Sequence, residues 1–383
     1  MATEFTESQV LLRDAVRKMM DRLATPAYLD RLDREQAYPE ELYRAWLEMG
    51  LISMPFPEEY GGLGGGVVEM LIIAEELSRR SYDLYAAFGG AAFLGLGLLK
   101  NGSEAQRREW LPRLLAGEIK FTLCMSEPEA GSDLAALRTS AELVGDEWVI
   151  NGTKVWATGA GAPNNVIQLY ARTDPTAPTP QALSLFLVEN DRPGVTLRKL
   201  DMLGRRCVGT YEVTFDNVRV PADRIVGGVN QAWKGMLACL NIERITGTAA
   251  YCGNAQGIID LALAYAKERS QFGRPIGSNQ VIAHMLADMQ TEVAAAHALT
   301  WRAAAMVADG QEARQEVSMA KLFASETLVK VSNQAMQIFG ANGYSMEYEM
   351  QRFFRDARSA TIAGGTSQIQ RNAIARDMGL KIK

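Results

Sequence analysis

The apolar residues of this chain change their period twice, and that change constrains the fold more than any other feature. Apolar positions three or four apart bury one stripe of a helix, whereas alternation by twos buries one face of a strand. Leu12, Val16, Met19 and Leu23 keep helical spacing. They follow Thr6-Glu-Ser-Gln9, which has the form of a capping box, with Phe5 and Val10 spaced for a hydrophobic staple. Pro26 marks a stop, and Pro39 opens a second helix that ends at Gly50. MPFPEEYGGLGGG (54–66) reads as a loop. Residues 68–80 are helical again, and Ala86 to Leu99 is a small-residue apolar helix that must be buried.

From Phe121 the pattern is that of strands: VIQLYART, LSLFLVEN, GVTLRKL and TYEVTFDNVRVP, separated by turns. Asn151-Gly152 inside WVINGTKVW (148–156) predicts a hairpin turn. After Gly227 the helical period returns and holds for roughly forty residues. Further helices are expected near 278–307, 311–341 and 347–358, with a short one at 366–378. The chain therefore reads as α+β: a helical block (1–120), a β domain (121–226) and a helical bundle (227–383).

Composition narrows the function. A net charge of −5 argues against wholesale nucleic-acid binding. Cys124, Cys207, Cys239 and Cys252 lack CxxC spacing, and His284 and His297 are the only histidines, so neither a metal site nor a Ser-His-Asp machine is indicated. MATEFTESQV carries two acids and no apolar run, and no uncharged apolar stretch of 18 residues occurs. The expectation is a protein with no membrane span, located in the cytoplasm. No GxGxxG follows a strand, and the glycines at 61–66 lack the Lys-Ser/Thr of a phosphate loop.

Two stretches look built for a ligand. CMSEPEAGSD (124–133) offers small residues on which a planar ring can lie, with Ser126 and Ser132 for its polar edges. TIAGGTSQIQ (361–370) offers two glycines and a run of hydrogen-bonding side chains, yet no residue that takes a proton near neutrality.

TLCMSEPEAGSD, KVWATGA (154–160), ERSQFGRPIG (268–277) and QIFGANGYSMEYEMQRFFRDAR (337–358), in this order, closely resemble the acyl-CoA dehydrogenase family over about residues 5 to 380. The resemblance implies N-terminal helices, a middle β domain and a C-terminal four-helix bundle, one FAD per subunit, and a homotetramer. It implies a flavin site at Met125, Ser126, Ser132, Trp156 and Thr158. Arg269, Gln271 and Phe272 would hold the FAD of a neighbouring subunit. Gln337, Gly340 and Ala341 would grip its adenosine diphosphate half, and Thr366 and Gln368 would complete the FAD contacts. Ala341 stands where many relatives have glycine. The implied reaction removes the α proton and the β hydride of an acyl-CoA thioester, with a backbone N–H at Gly364 among the donors to the thioester oxygen. Electrons would pass to electron-transferring flavoprotein, with Asp216 at a docking position.

Many members carry the base as glutamate in a Tyr-Glu-Gly-Thr loop. Here those positions read Ala363-Gly364-Gly365-Thr366. A branch that includes isovaleryl-CoA dehydrogenases places the base on the first long helix after the β domain, before an arginine. The matching residues are Leu240-Asn241-Ile242-Glu243-Arg244, which makes Glu243 the expected base. Arg244, expected to face away from Glu243, would contact CoA, as would Asn241, where many relatives have Asp. The missing side chains at Ala363 and Gly364 leave room for branching or C3 substitution. Three alternatives stay open at this stage: a desulfinase-like relative, a flavin oxidase or monooxygenase, and a non-catalytic scaffold.

Overall fold

The computed structural model describes residues 5–382. Helices α1 (Glu7–Leu23), α2 (Pro26–Glu35), α3 (Glu40–Glu48), α4 (Val67–Ser78), α5 (Tyr82–Asn101) and α6 (Glu104–Leu115) come first. Thr6 and Gln9 form the capping box at the start of α1, satisfying backbone N–H groups that the first turn leaves free. Phe5 packs edge-on against Trp301, 4.8 Å away, which pins the start of α1 to the C-terminal helices.

Helix α5 is long and apolar enough to cross a bilayer by length and composition, counter to the reading of the sequence. Its side chains are mostly buried within the protein, so here it is a core helix. A Cβ on Gly90 would lie 2.7 Å from the carbonyl oxygen of Phe121, so glycine lets the first strand approach closely.

The strands are β1 (Lys120–Cys124), β2 (Ser140–Val144), β3 (Glu147–Thr158), β4 (Asn165–Arg172), β5 (Leu183–Glu189), β6 (Val195–Leu200), β7 (Thr210–Pro221) and β8 (Ile225–Val226). They form one sheet in the order β6-β7-β3-β2-β4-β5-β8, with β1 parallel to β4. Trp148, Phe186 and Phe215 lie in the β domain's own core.

The Asn151-Gly152 turn is not formed. Both residues lie within the continuous strand β3, at an irregularity in its pairing with β7. A Cβ on Gly152 would fall 2.5 Å from Thr139 Oγ1, so crowding rather than reversal explains the glycine. The chain reverses instead between Val144 and Glu147, where Gly145 adopts φ +70°.

Helix α7 (Ala232–Glu268) leads into the hairpin β9 (Ser270–Gln271) and β10 (Arg274–Pro275). Then come α8 (Gln280–Ala308), α9 (Arg314–Phe339), α10 (Ala341–Tyr344), α11 (Met350–Ala357) and α12 (Ser367–Asp377). Helices α7, α8 and α9 pack on one another, and α4 and α5 pack on α7. A Cβ on Gly253 or Gly257 would sit 2.0 Å from the carbonyl oxygens of Glu75 and Arg79, so these glycines set how closely α4 crosses α7. That crossing, together with α5, holds the stretch of α7 that carries Glu243.

Candidate active site

Glu243 lies well inside α7, where it is half-buried, not on a solvated first turn. Hydroxyls occupy the backbone carbonyls around it: Thr246 donates to Ile242 (2.7 Å), Tyr85 to Glu243 (3.3 Å) and Thr248 to Arg244 (2.6 Å). Burial pushes the Glu243 carboxyl above its ordinary range, while Arg244, Arg205 and Lys321 pull it back. A carboxylate of this kind is a stronger base than one in water.

The loop at 363–365 comes to the same place. Gly364 and Gly365 adopt φ +64° and +90°, a region that favours glycine. A Cβ on Gly364 would lie 4.0 Å from Glu243 Oε1 and 4.0 Å from Lys321 Cε. A side chain at position 364 would therefore enter the space that the Glu243 carboxylate occupies.

The loop is held from beneath by its carbonyls. Arg244 Nε donates to Gly364 O (3.1 Å), so Arg244 turns toward the site of Glu243 and not away from it. Its long side chain spans what adjacency on a helix would separate. Gln370 Nε2 donates to the carbonyls of both Gly364 and Gly365, each at 3.1 Å. Lys321 Nζ donates to Ala360 O (3.0 Å) and Gly365 O (2.8 Å). The Gly364 N–H has no acceptor among the described residues.

Lys321 escaped the sequence reading because SMAKLFASE looks like any helix with an exposed lysine. It is buried because the loop crosses α9. Burial lowers its pKa to about 8, Arg244 adds to the fall, and Glu243 and Glu326 oppose it. Ala363 is half-buried beside this group, and Asn241 is tied to the carbonyl of Glu312 (3.3 Å).

A second group forms where β1 ends. Met125 is buried and Ser126 half-buried. The Lys154 ammonium, fully buried on β3, donates to Met125 O (3.0 Å) and to Glu127 Oε1 (2.9 Å). Glu127 also accepts from the N–H groups of Arg138 and Thr139 (2.7 and 2.8 Å). Burial alone would raise the Glu127 pKa, but Lys154 and these hydrogen bonds hold it below its usual value. Neither residue of this pair was singled out in the sequence.

Opposite β7, the register of β3 slips between Lys154 and Ala157. Trp156 sits in that bulge at φ +63° with 58% of its surface exposed. Bulges re-aim side chains in this way. Thr158 is half-buried two residues on, Ser132 is exposed, and no atom lies within 4 Å of where a Cβ on Gly131 would stand. An uncovered indole beside an open, small-residue loop fits the face and edge of a flavin.

A third group stands apart. Phe272 and Gly273, at φ +52° and +78°, form the tip of the β9–β10 hairpin, and the Phe272 ring is 98% exposed. Arg269 and Gln271 beside it are exposed, as are Gln337, Gly340 and Ala341 where α9 passes into α10. Thr366 caps α12 by accepting from the N–H of Ile369 (3.2 Å), and Gln368 is exposed on its first turn.

A half-buried carboxylate of raised pKa with a free backbone donor beside it can remove a weakly acidic C–H proton. The comparisons with known proteins agree. Residues 6–118, 122–218 and 230–379 match the N-terminal, middle and C-terminal domains of acyl-CoA dehydrogenases. The chain is 36% identical to a (2S)-methylsuccinyl-CoA dehydrogenase of Cereibacter sphaeroides, covering 98% of this chain and 70% of that one. It is 35% identical to a mitochondrial isovaleryl-CoA dehydrogenase of Oryza sativa subsp. japonica, covering 98% and 92%. A solved glutaryl-coenzyme A dehydrogenase–glutaryl-CoA complex superposes with a TM-score of 0.95 at 35% identity, covering 100% of this chain and 98% of that one. With the helix–sheet–helix order and the similarity both running the length of the chain, the protein belongs to the acyl-CoA dehydrogenase family of FAD-dependent oxidoreductases acting on the CH–CH bond of acyl-CoA thioesters.

Proposed function

We propose that Glu243 is the base of an α,β-desaturation. The carboxylate takes the α proton of a saturated acyl-CoA and becomes the neutral acid. The electron pair left at the α carbon forms the new double bond as the β hydrogen departs with its two electrons. Bound FAD supplies the acceptor for that hydride.

The α proton is weakly acidic, so the developing enolate oxygen needs a donor. The free N–H of Gly364 fits that role. Arg244, Lys321 and Gln370 occupy the loop's carbonyls, which keeps those acceptors away from the negative oxygen. Met125, Ser126, Ser132, Trp156 and Thr158 would hold the flavin ring, with Thr366 and Gln368 completing its contacts. Ser132, Asn241, Arg244 and Ala363 would line the substrate's path.

Arg269, Gln271 and Phe272, with Gln337, Gly340 and Ala341, are assigned to FAD across a subunit boundary in a homotetramer. A fully exposed phenylalanine at a hairpin tip favours that assignment, because such a ring gains by being covered. Reduced flavin would be reoxidised by electron-transferring flavoprotein, with Asp216, exposed on β7, at the docking face.

The observation that carries this reading is the convergence of Glu243 Oε1 on the space facing position 364. Anaerobic bleaching of the flavin by a panel of straight, branched and C3-substituted acyl-CoAs tests it. Wild type should be bleached by one class. Glu243→Gln should retain FAD and bleach about 10²–10⁴-fold more slowly. A retained wild-type rate in Glu243→Gln would place the base elsewhere.

A further inference from the structure

We propose that Arg205 recognises an anionic group at the far end of the acyl chain, so that the preferred substrate is a short ω-carboxyacyl-CoA. This rests on Glu243 marking where the α carbon lies.

Arg205 belongs to the loop between β6 and β7 and holds φ +59°. Its guanidinium stands 5.2 Å over the Tyr82 ring. Tyr82 stacks on Tyr85 with centroids 6.0 Å apart, and Tyr85 reaches the backbone of Glu243 at 3.3 Å. Tyr251, one α7 face further along, meets the Tyr82 hydroxyl at 3.4 Å. Between α5 and α7, therefore, a run of buried tyrosines links the backbone of Glu243 to a cation.

That cation is incompletely used. Its Nε lies 3.5 Å from Asp83 Oδ1 without forming a hydrogen bond. Neither Nη atom has an acceptor among the described residues, although 18% of the side chain remains exposed. Asp83 accepts from the Val208 N–H at 3.1 Å and Asp356 from the Arg205 N–H at 2.6 Å, so both carboxylates stand near the guanidinium without a hydrogen bond to either Nη. An alkyl tail pushed against such a fork would strip its water and return nothing. A carboxylate matches the two Nη donors in geometry and in charge.

The test compares glutaryl-CoA with its uncharged isostere 5-methylhexanoyl-CoA on the anaerobic holoenzyme. Binding is read from the perturbed flavin spectrum, and desaturation is read separately from bleaching. Wild type should bind glutaryl-CoA more tightly than the isostere. Arg205→Asn, whose side chain tolerates the left-handed backbone, should lower the glutaryl-to-isostere ratio about 10–100-fold. Arg205→Lys, which keeps the charge but loses the fork, should lower it less. If Arg205→Asn does not hold flavin, the wild-type preference and the Arg205→Lys ratio still decide. Equal or reversed preference in wild type, or a ratio unmoved by both substitutions, would overturn the assignment. Tight, Arg205-dependent binding of glutaryl-CoA with no bleaching by either thioester would keep it and overturn the desaturation instead.

Discussion

One carboxylate faces three cations from three elements: Arg244 on its own helix, Arg205 on the β6–β7 loop and Lys321 on α9, while Tyr85 of α5 holds its backbone. The cations offset part of the cost of burying Glu243, and the balance leaves its pKa raised. As a base it must be unprotonated, so kcat/KM should rise with pH through a limb above the usual glutamate range. Removing a cation disfavours the charged carboxylate and moves that limb to still higher pH. Lys321→Met should therefore shift the limb upward and also lower kcat, because the Gly365 and Ala360 carbonyls lose their donor. A pH profile of kcat/KM for both proteins checks this. A profile merely scaled down, with its limb unmoved, would confine Lys321 to supporting the loop. The loss of the usual loop glutamate and the presence of Glu243 were both legible in the sequence. The role of Lys321 was not, because burial of a helix lysine depends on which remote loop crosses it.

At the scale of elements, helical period located most helices, since each amphipathic stripe is a local property of the chain, but Pro26, read as a stop, also opens α2 at its first turn, and α6 was not foreseen. The β domain was harder. Asn151-Gly152 carries a strong hairpin signal, but contact with Thr139 and pairing with β7 across both its flanks override it. Trp156 was named from a motif, whereas its exposure comes from a bulge defined by the partner strand, which no local pattern records. The same strand supplies Lys154, whose ammonium ties β3 to the loop that follows β1. Substituting Lys154→Met would leave Glu127 charged and buried, relieved only by two backbone N–H groups. The expected cost is about 3 kcal/mol, as for other broken buried pairs. Denaturant unfolding of the holoprotein measures it, and flavin release should begin at lower denaturant than in wild type. A loss within about 0.5 kcal/mol, the range of ordinary surface substitutions, would mean that the backbone donors alone hold the loop.

At the scale of the molecule, the three parts of the chain meet at a buried charged junction. Arg355 of α11 grips Asp33 of α2 with two hydrogen bonds (3.2 and 2.6 Å) and also donates to Leu203 O of the β6–β7 loop (2.9 Å). Asp356 accepts from the Arg205 N–H at 2.6 Å and faces Ser81 of the first helical block at 3.4 Å. Burial and the neighbouring Asp83 carboxylate push the Asp356 pKa up to about 7, against the Arg205 N–H and Arg352, which favour the charged form. Unfolded, an aspartate releases its proton near 3.9. Between these values the native state holds a proton that the unfolded chain has lost. Stability from this group is thus complete below about pH 4, falls as pH rises, and is gone above about pH 7. The span corresponds to at most about 4 kcal/mol, shared with the coupled Asp83. Asp356→Asn keeps an oxygen for the Arg205 N–H and puts its amide nitrogen where Oδ2 now faces Ser81, but it cannot titrate. Chemical denaturation of the holoprotein from pH 5 to 8 should show wild type losing stability across the range, with a flatter dependence in Asp356→Asn. Parallel curves would mean that Asp356 is already ionised in the native state and that the junction holds its charge through Arg205 and Arg352 alone.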